Sequence, residues 1–229
     1  MESETWKASM QAFLACRKLK MAKNMSKSRL AIVLSSLEGF YEPKVRQEQY
    51  LMASEVGASV LWNAYLLGDI EGKVIADLGC GTGILGIGAL LLGAKHVFFV
   101  DSDEKALETA KNNILKVKSE GYSLGYQEFI CKDIGKLELR ADVVVQNPPF
   151  GTKNRHVDIF FLENALKTAP VAYSFHKSES KMFLERFSAK KNTKITHFWG
   201  FRFPLKATFS FHRRRIHRID VVCLRFEQK

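Results

Sequence analysis

The chain predicts an α/β fold: a doubly wound, mainly parallel sheet of seven strands, closed by an antiparallel pair at its C-terminal end and preceded by helices. Three observations predict it. Short apolar runs alternate with helical periodicity from Val74 onward, the pattern of βαβ units. A glycine turn, Gly79-Cys80-Gly81-Thr82-Gly83, directly follows the first apolar run. Polar residues close the successive runs, where an open parallel sheet collects its ligands.

Residues 1–25 read as a helical extension ahead of a single domain spanning 26–229. Met21 and Met25 stand just before that domain, so residues 1–20 are either a lineage-specific helix or a product of start-codon choice. Val74-Ile75-Ala76-Asp77-Leu78 is the first strand, and its glycine turn leads into a helix over 84–92. Lys95–Asp101 is the second strand, followed by a helix over 103–118. Tyr126–Asp133 is the third, ending in Asp133. Ala141–Val145 is the fourth, broken by Asn147-Pro148-Pro149-Phe150, because two prolines remove backbone donors and fix φ. Helices over 160–169 and 178–191 flank a strand at Val171–Phe175. Lys194–Phe203 and Ile219–Phe226 form the antiparallel pair.

Composition bounds the function. The 46% hydrophobic content supplies a large core. Four cysteines, at 16, 80, 131 and 223, show no paired spacing. That predicts a reducing compartment, the cytoplasm, and no metal site in this chain. No apolar run approaches transmembrane length, so no membrane role is expected. The net charge is +11, unevenly spread: ten Lys or Arg and no acid lie between Glu185 and Asp220, with seven aromatics interleaved. Such a surface suits RNA, whose phosphates meet cations and whose unpaired bases stack on rings. Trp199, Phe201 and Phe203 alternate with Phe198, Gly200 and Arg202, which instead reads as a strand with one face in the core. His212-Arg213-Arg214-Arg215 reads as a phosphate contact. His176-Lys177 either binds a phosphate or caps a strand.

The glycine turn points to a nucleotide cofactor. Gly79, Gly81 and Gly83 allow positive φ and close approach of a ligand. Gly81-x-Gly83-x-x-Gly86 also satisfies the dinucleotide fingerprint, which leaves NAD open. A methyltransferase needs an acid just before the first glycine and an acceptor loop after the fourth strand. Asp77 and Asn-Pro-Pro-Phe meet both needs and favour S-adenosylmethionine. Asp101 can take the ribose hydroxyls, or cap the helix opened by Ser102-Asp103-Glu104. Asp133 can accept from the adenine amine, or be a solvated loop acid. Asn147 Oδ1 and the Pro148 carbonyl can both accept from an exocyclic amine while Phe150 stacks on its ring.

Asp-Leu-Gly-Cys-Gly-Thr-Gly, the acids at 101 and 133, and Asn-Pro-Pro-Phe together resemble a Rossmann-like class I methyltransferase of the amino-group type. Gln47-Glu48-Gln49-Tyr50, Phe150-Gly151-Thr152-Lys153, Tyr173-Ser174-Phe175-His176-Lys177 and Phe209-Ser210-Phe211-His212 narrow the resemblance. From about Ser26 to Phe226 the chain resembles the small-subunit ribosomal RNA adenine-N6 methyltransferases of archaea and eukaryotes, the methyltransferase-like-five family. The resemblance implies cofactor contacts at Gln49, Tyr50, Asp77, Gly79, Gly81, Gly83, Asp101, Ser102, Asp133, Ile134 and Asn147. It implies a catalytic loop of Asn147, Pro148, Pro149 and Phe150, and RNA contacts at Phe150, Lys153, His176, Lys177, His212, Arg213, Arg214 and Arg215. It further implies a small zinc-containing activator protein that pairs with an exposed sheet edge. The family usually has Pro-Thr after the Gln-Tyr pair; Leu51-Met52 stands here, and that contact is not carried over. Guanine N2 in RNA and the glutamine amide of a protein are rival acceptors, and a non-catalytic RNA-binding module is the alternative of another class.

Overall fold

The computed structural model describes residues 25–41, 52–150, 157–205 and 217–229. Two helices precede the sheet. The first, α1 (Lys27–Ser35), starts where the Ser26 hydroxyl accepts from the Arg29 amide at 3.2 Å. It packs with α2 (Ser54–Leu66) through Leu30, Val33, Leu34 and Leu61. Met52 is buried in the same cluster.

The order that follows is β1 (Val74–Leu78), α3 (Ile84–Leu91), β2 (His96–Asp101), α4 (Glu104–Ser119), β3 (Tyr126–Cys131), β4 (Val143–Gln146), α5 (Val157–Thr168), β5 (Val171–Lys177), α6 (Lys181–Lys190), β6 (Thr193–Leu205) and β7 (His217–Gln228). The seven strands form one sheet in the order β3-β2-β1-β4-β5-β7-β6. The first five are parallel, and β7 is antiparallel to both β5 and β6. This is the expected fold. The order reverses between β1 and β4, so the carboxyl ends of those strands border the crevice of a doubly wound sheet.

Both faces of the sheet are covered, which is why β1 and β4 are mostly apolar and show no polar alternation. One apolar cluster joins α1–α4 to the sheet and contains Phe99, Tyr173 and Phe175. The other joins α5 and α6 to it through Leu162, Leu184 and Phe226.

Element ends differ from expectation in instructive ways. β3 stops at Cys131, because the Asp133 carboxylate takes the Gly135 amide at 2.8 Å and opens a 3-10 turn, Ile134–Lys136. β6 and β7 are longer than their apolar patterns suggest. Lys177 at the end of β5 is level with Val221 and Phe201, yet β6 and β7 pair on to Leu205 and His217. The two-stranded ribbon therefore overshoots the sheet on the crevice side. Trp199 and Phe201 lie on its inner face, Trp199 stacked 5.9 Å from Tyr173, whereas Phe198 is 59% exposed under the Lys181 ammonium. The expected alternation holds for these three aromatics.

A buried ion pair fixes the opposite end. Arg225 donates to Asp69 through Nε at 2.7 Å and Nη2 at 3.2 Å, and the Tyr173 hydroxyl donates to the same carboxylate at 2.5 Å. Burial, followed by the Asp69 carboxylate, pushes the Tyr173 phenol up. Asp69→Ala would leave Arg225 Nε and Nη2 and the Tyr173 hydroxyl without their buried acceptor, while Nη1 keeps Glu227 and Thr196. Urea unfolding is expected to show a loss of about 3 kcal/mol; a loss below about 1 kcal/mol would mean that water replaces the carboxylate.

Candidate active site

The glycine turn is built as its sequence suggests. Gly79, Gly81 and Gly83 have φ of 67°, 54° and 86°. These are left-handed values that a side chain resists. Gly83 is the N-cap of α3. A Cβ on Gly81 would lie 2.7 Å from the Phe40 ring, and one on Gly79 would lie 2.8 Å from Phe161. The turn is tied to β2 by the Gly79 and Cys80 amides, which both donate to the Val100 carbonyl. Gly86, the third glycine of the dinucleotide pattern, is a packing residue: a Cβ there would meet Phe99 at 2.4 Å.

Asp101 sits where β2 ends. Its Oδ2 accepts from the Gly81 amide at 2.8 Å, its Oδ1 from the Asp103 amide at 2.9 Å. Burial raises its pKa against these two hydrogen bonds. The cap of α4 is Asp103, not Asp101, so the Asp101 carboxylate is left facing the turn. Ser102 is exposed beside it, Asp133 is exposed at the end of β3, and Ile134 is buried beneath the 3-10 turn.

Asp77, expected at the cofactor, is instead sealed at 1% exposure, with Oδ2 accepting from the Gly86 amide at 2.8 Å. It joins the end of β1 to the first turn of α3 and so positions the glycine turn. Burial, opposed by that amide and aided by Asp101, raises its pKa from 3.8 to about 7. Between those two values the folded state holds a proton that the unfolded state has lost, so stability falls as pH rises through this window. Asp77→Asn keeps an acceptor for Gly86 without an ionisable group. Melting curves from pH 4 to 8 are expected to show a smaller fall in the variant than in the parent; parallel curves would overturn the assignment.

Asn147 and its loop complete the edge. Pro148 is buried, and Phe150 is half-buried against the larger core cluster. Asn147 Oδ1 is buried and has no hydrogen-bond partner. Such an orphaned acceptor is costly unless a donor arrives. Sulfonium and nucleoside chemistry fits this set: a turn with glycine at three of its five positions, a carboxylate for hydroxyls, and an amide oxygen awaiting an N–H.

His176, expected either at a phosphate or capping a strand, has no access to a phosphate in the structure. It is 0% exposed, with Nε2 2.7 Å from Ser174 Oγ and Nδ1 3.3 Å from Asp158 Oδ2. Its neighbours β4 and β7 cover β5 on both edges, so the strand end is interior. Lys177 is half-buried, 3.8 Å from Glu179. Gln49, Tyr50, Lys153, His212, Arg213, Arg214 and Arg215 lie outside the described residues.

Two residues escaped the sequence reading. Asn113, 0% exposed on α4, accepts from the Glu38 amide and donates to the carbonyls of Glu38 and Thr82, holding the 36–40 segment against the glycine turn. Phe40 lies over Gly81 on that segment. A polar residue in the apolar stripe Ala106, Ala110, Ile114, Val117 was the available signal for Asn113.

This sheet order, with the turn after β1, the acid after β2 and Asn-Pro-Pro-Phe after β4, defines a Rossmann-like class I methyltransferase. A family model described as ribosomal protein L11 methyltransferase (PrmA) matches residues 63–148, the stretch from α2 into the acceptor loop. The rRNA N(6)-adenosine-methyltransferase METTL5 of Danio rerio is 32% identical over 88% of this chain and 99% of its own length. An uncharacterised protein of Methanocaldococcus jannaschii is 34% identical over 89% of this chain and 95% of its own. A crystal structure from Pyrococcus horikoshii, described as a proposed RNA methyltransferase, is 41% identical over 89% of this chain and 98% of its own, with a TM-score of 0.81. The chain belongs to the METTL5 family of methyltransferases. Among the described residues no helix is long and apolar enough to cross a membrane.

Proposed function

We propose that this protein methylates the exocyclic N6 of an unpaired or flipped adenosine in small-subunit ribosomal RNA. The observation that carries it is the orphaned Asn147 Oδ1, level with the glycine turn on the neighbouring strand. The METTL5 relatives named as rRNA N6-adenosine methyltransferases supply the substrate class.

When bound, S-adenosylmethionine supplies an electrophilic methyl group. The glycine turn would admit it, Asp101 would hold its ribose hydroxyls and Asp133 its adenine amine; Asp77 and Asn113 hold the turn. An adenine N6 lone pair is delocalised and weakly nucleophilic. Asn147 Oδ1 and the Pro148 carbonyl accept its two N–H bonds, favour a pyramidal nitrogen and aim the lone pair at the methyl carbon. With the cofactor bound, its methyl group would pass to this nitrogen with release of the thioether, and the proton lost from nitrogen would go to solvent. A stacked base cannot enter this crevice, so the target is unpaired or flipped, with Phe150 against its face. Lys177 and the basic sequence at His212–Arg215 meet the RNA phosphates.

The proposal extends to place and partner. The protein acts in the cytoplasm, residues 1–25 are an extension of the domain, and a small zinc-containing protein covers the outer edge of β3. In support, β3 pairs only with β2 among the described residues, and Tyr126 on it is 65% exposed.

The test is transfer from labelled S-adenosylmethionine to small ribosomal subunits, with and without the activator class of protein, followed by nucleoside analysis. Label in N6-methyladenosine is expected. Label in N2-methylguanosine or in protein would overturn the substrate, and saturable cofactor binding without transfer to any acceptor would overturn the enzyme.

A further inference from the structure

A buried chain of polar groups lies beside the acceptor loop and has no part in the mechanism above. Gln146, the last residue of β4, is 0% exposed and donates from Nε2 to Ser174 Oγ at 2.9 Å. Ser174 Oγ is 2.7 Å from His176 Nε2, and His176 Nδ1 is 3.3 Å from Asp158 Oδ2 in the first turn of α5. One ordering satisfies every link. The carboxylate only accepts, so His176 donates through Nδ1–H. Its Nε2 then accepts the Ser174 proton, and the Ser174 oxygen receives the Gln146 amide. Burial works to raise the Asp158 pKa, but the hydrogen bond from His176, with those from the Ile159 and Asp158 amides, outweighs it and holds the carboxyl below its ordinary value.

The residues repeat the order of a hydrolytic triad, but Ser174 and His176 are both 0% exposed, so no substrate reaches the hydroxyl. What the chain joins is more telling. Gln146 immediately precedes Asn147, and Asp158 follows the loop on the next helix. Two side chains of β5 thereby connect the segments on either side of residues 147–156. Gln146 also carries a buried Oε1 without a partner, so its amide is oriented by the Ser174 bond.

We propose that Ser174 and His176 are positioning residues for methyl transfer, stapling Gln146 to Asp158 and so fixing both flanks of the acceptor loop. This rests on reading Asn147–Phe150 as that loop. Ring orientation in His176 is set by Asp158, and the end of β4 is held in turn. Loss of a link leaves Asn147 in the site but free to wander, and displacement on the scale of an ångström is costly in transfer chemistry.

Transfer to small ribosomal subunits in the full-length protein tests this with four variants. Ser174→Ala and Asp158→Ala are expected to lower kcat about tenfold or more while KM for RNA and Kd for S-adenosylmethionine stay within about threefold. Asp158→Asn retains an oxygen for His176 Nδ1–H and is expected to restore kcat to within about threefold of the parent. Asp158 sits at the helix end, partly exposed, so its pair decides the matter if Ser174→Ala fails to fold. Normal kcat in both alanine variants, equal loss in Asp158→Ala and Asp158→Asn, or a loss confined to cofactor Kd would each overturn the staple. Asn147→Ala separates the two readings. If it is inactive while the staple variants are normal, only the staple falls; if it is fully active, the acceptor-loop reading falls and the staple with it.

Discussion

Asn147→Ala is expected to lower kcat by about a hundredfold to a thousandfold, the loss seen when one preorganised polar partner of a transition state is removed. The argument turns on where the oxygen is. Asn147 follows β4, whose Gln146 is level with Leu78 of β1, so its amide stands beside the start of the glycine turn. Oδ1 is buried without a partner, which means that no protein bond has to break before it accepts from the incoming amine. The alanine variant keeps the prolines and hence the end of β4, so the cofactor Kd is expected to stay within about threefold. Asn147→Asp retains an acceptor oxygen and is expected to lose less. Single-turnover transfer beside calorimetric cofactor binding reads both quantities. A kcat within about threefold of the parent would remove Asn147 from the chemistry.

Asp101→Ala is expected to weaken S-adenosylmethionine binding by a few hundredfold. Two hydrogen bonds from ribose hydroxyls to a carboxylate contribute about 1.5 kcal/mol or more each, together a little over two decades in Kd. The substitution acts a second way. The carboxylate also holds the Gly81 and Asp103 amides, so its loss loosens the turn that admits the cofactor. Asp101→Asn keeps one acceptor and is expected to fall between. Calorimetry with S-adenosylmethionine gives the answer; a change below about tenfold would confine Asp101 to holding the turn.

The parts of the site that were legible in the sequence are those fixed by backbone requirements over a few residues. Three glycines at positive φ, an acid where a strand ends and two prolines where another breaks each leave a local signature. Gly86 shows the limit of that kind of reading. Its spacing fits a dinucleotide loop and a methyltransferase loop alike, because its contact with the Phe99 ring comes from packing between α3 and β2. The longer-range parts left little trace. Asn113 meets a segment 75 residues away, and His176 meets a residue 18 away on another element. For His176 the period-two rule offered no help. β5 is buried on both faces, so alternation could not separate an inward histidine from an outward one. Asp77 was found by motif, but its burial and its bond to the Gly86 amide were not, because burial depth is a tertiary property.

The pairing of β1 with β4 also has a bearing on engineering. The proposed cofactor residues follow β1, β2 and β3, the proposed acceptor residues follow β4, and the two sets meet at the β1–β4 backbone ladder, in which Leu78 faces Gln146. Neighbouring strands stand about 4.8 Å apart, whatever their side chains. The donor-to-acceptor span is therefore ruled by main-chain hydrogen bonds. Loops grafted beyond the acceptor prolines could retarget the enzyme to a different base or a different RNA shape, and the spacing on which transfer depends would travel unchanged with the scaffold.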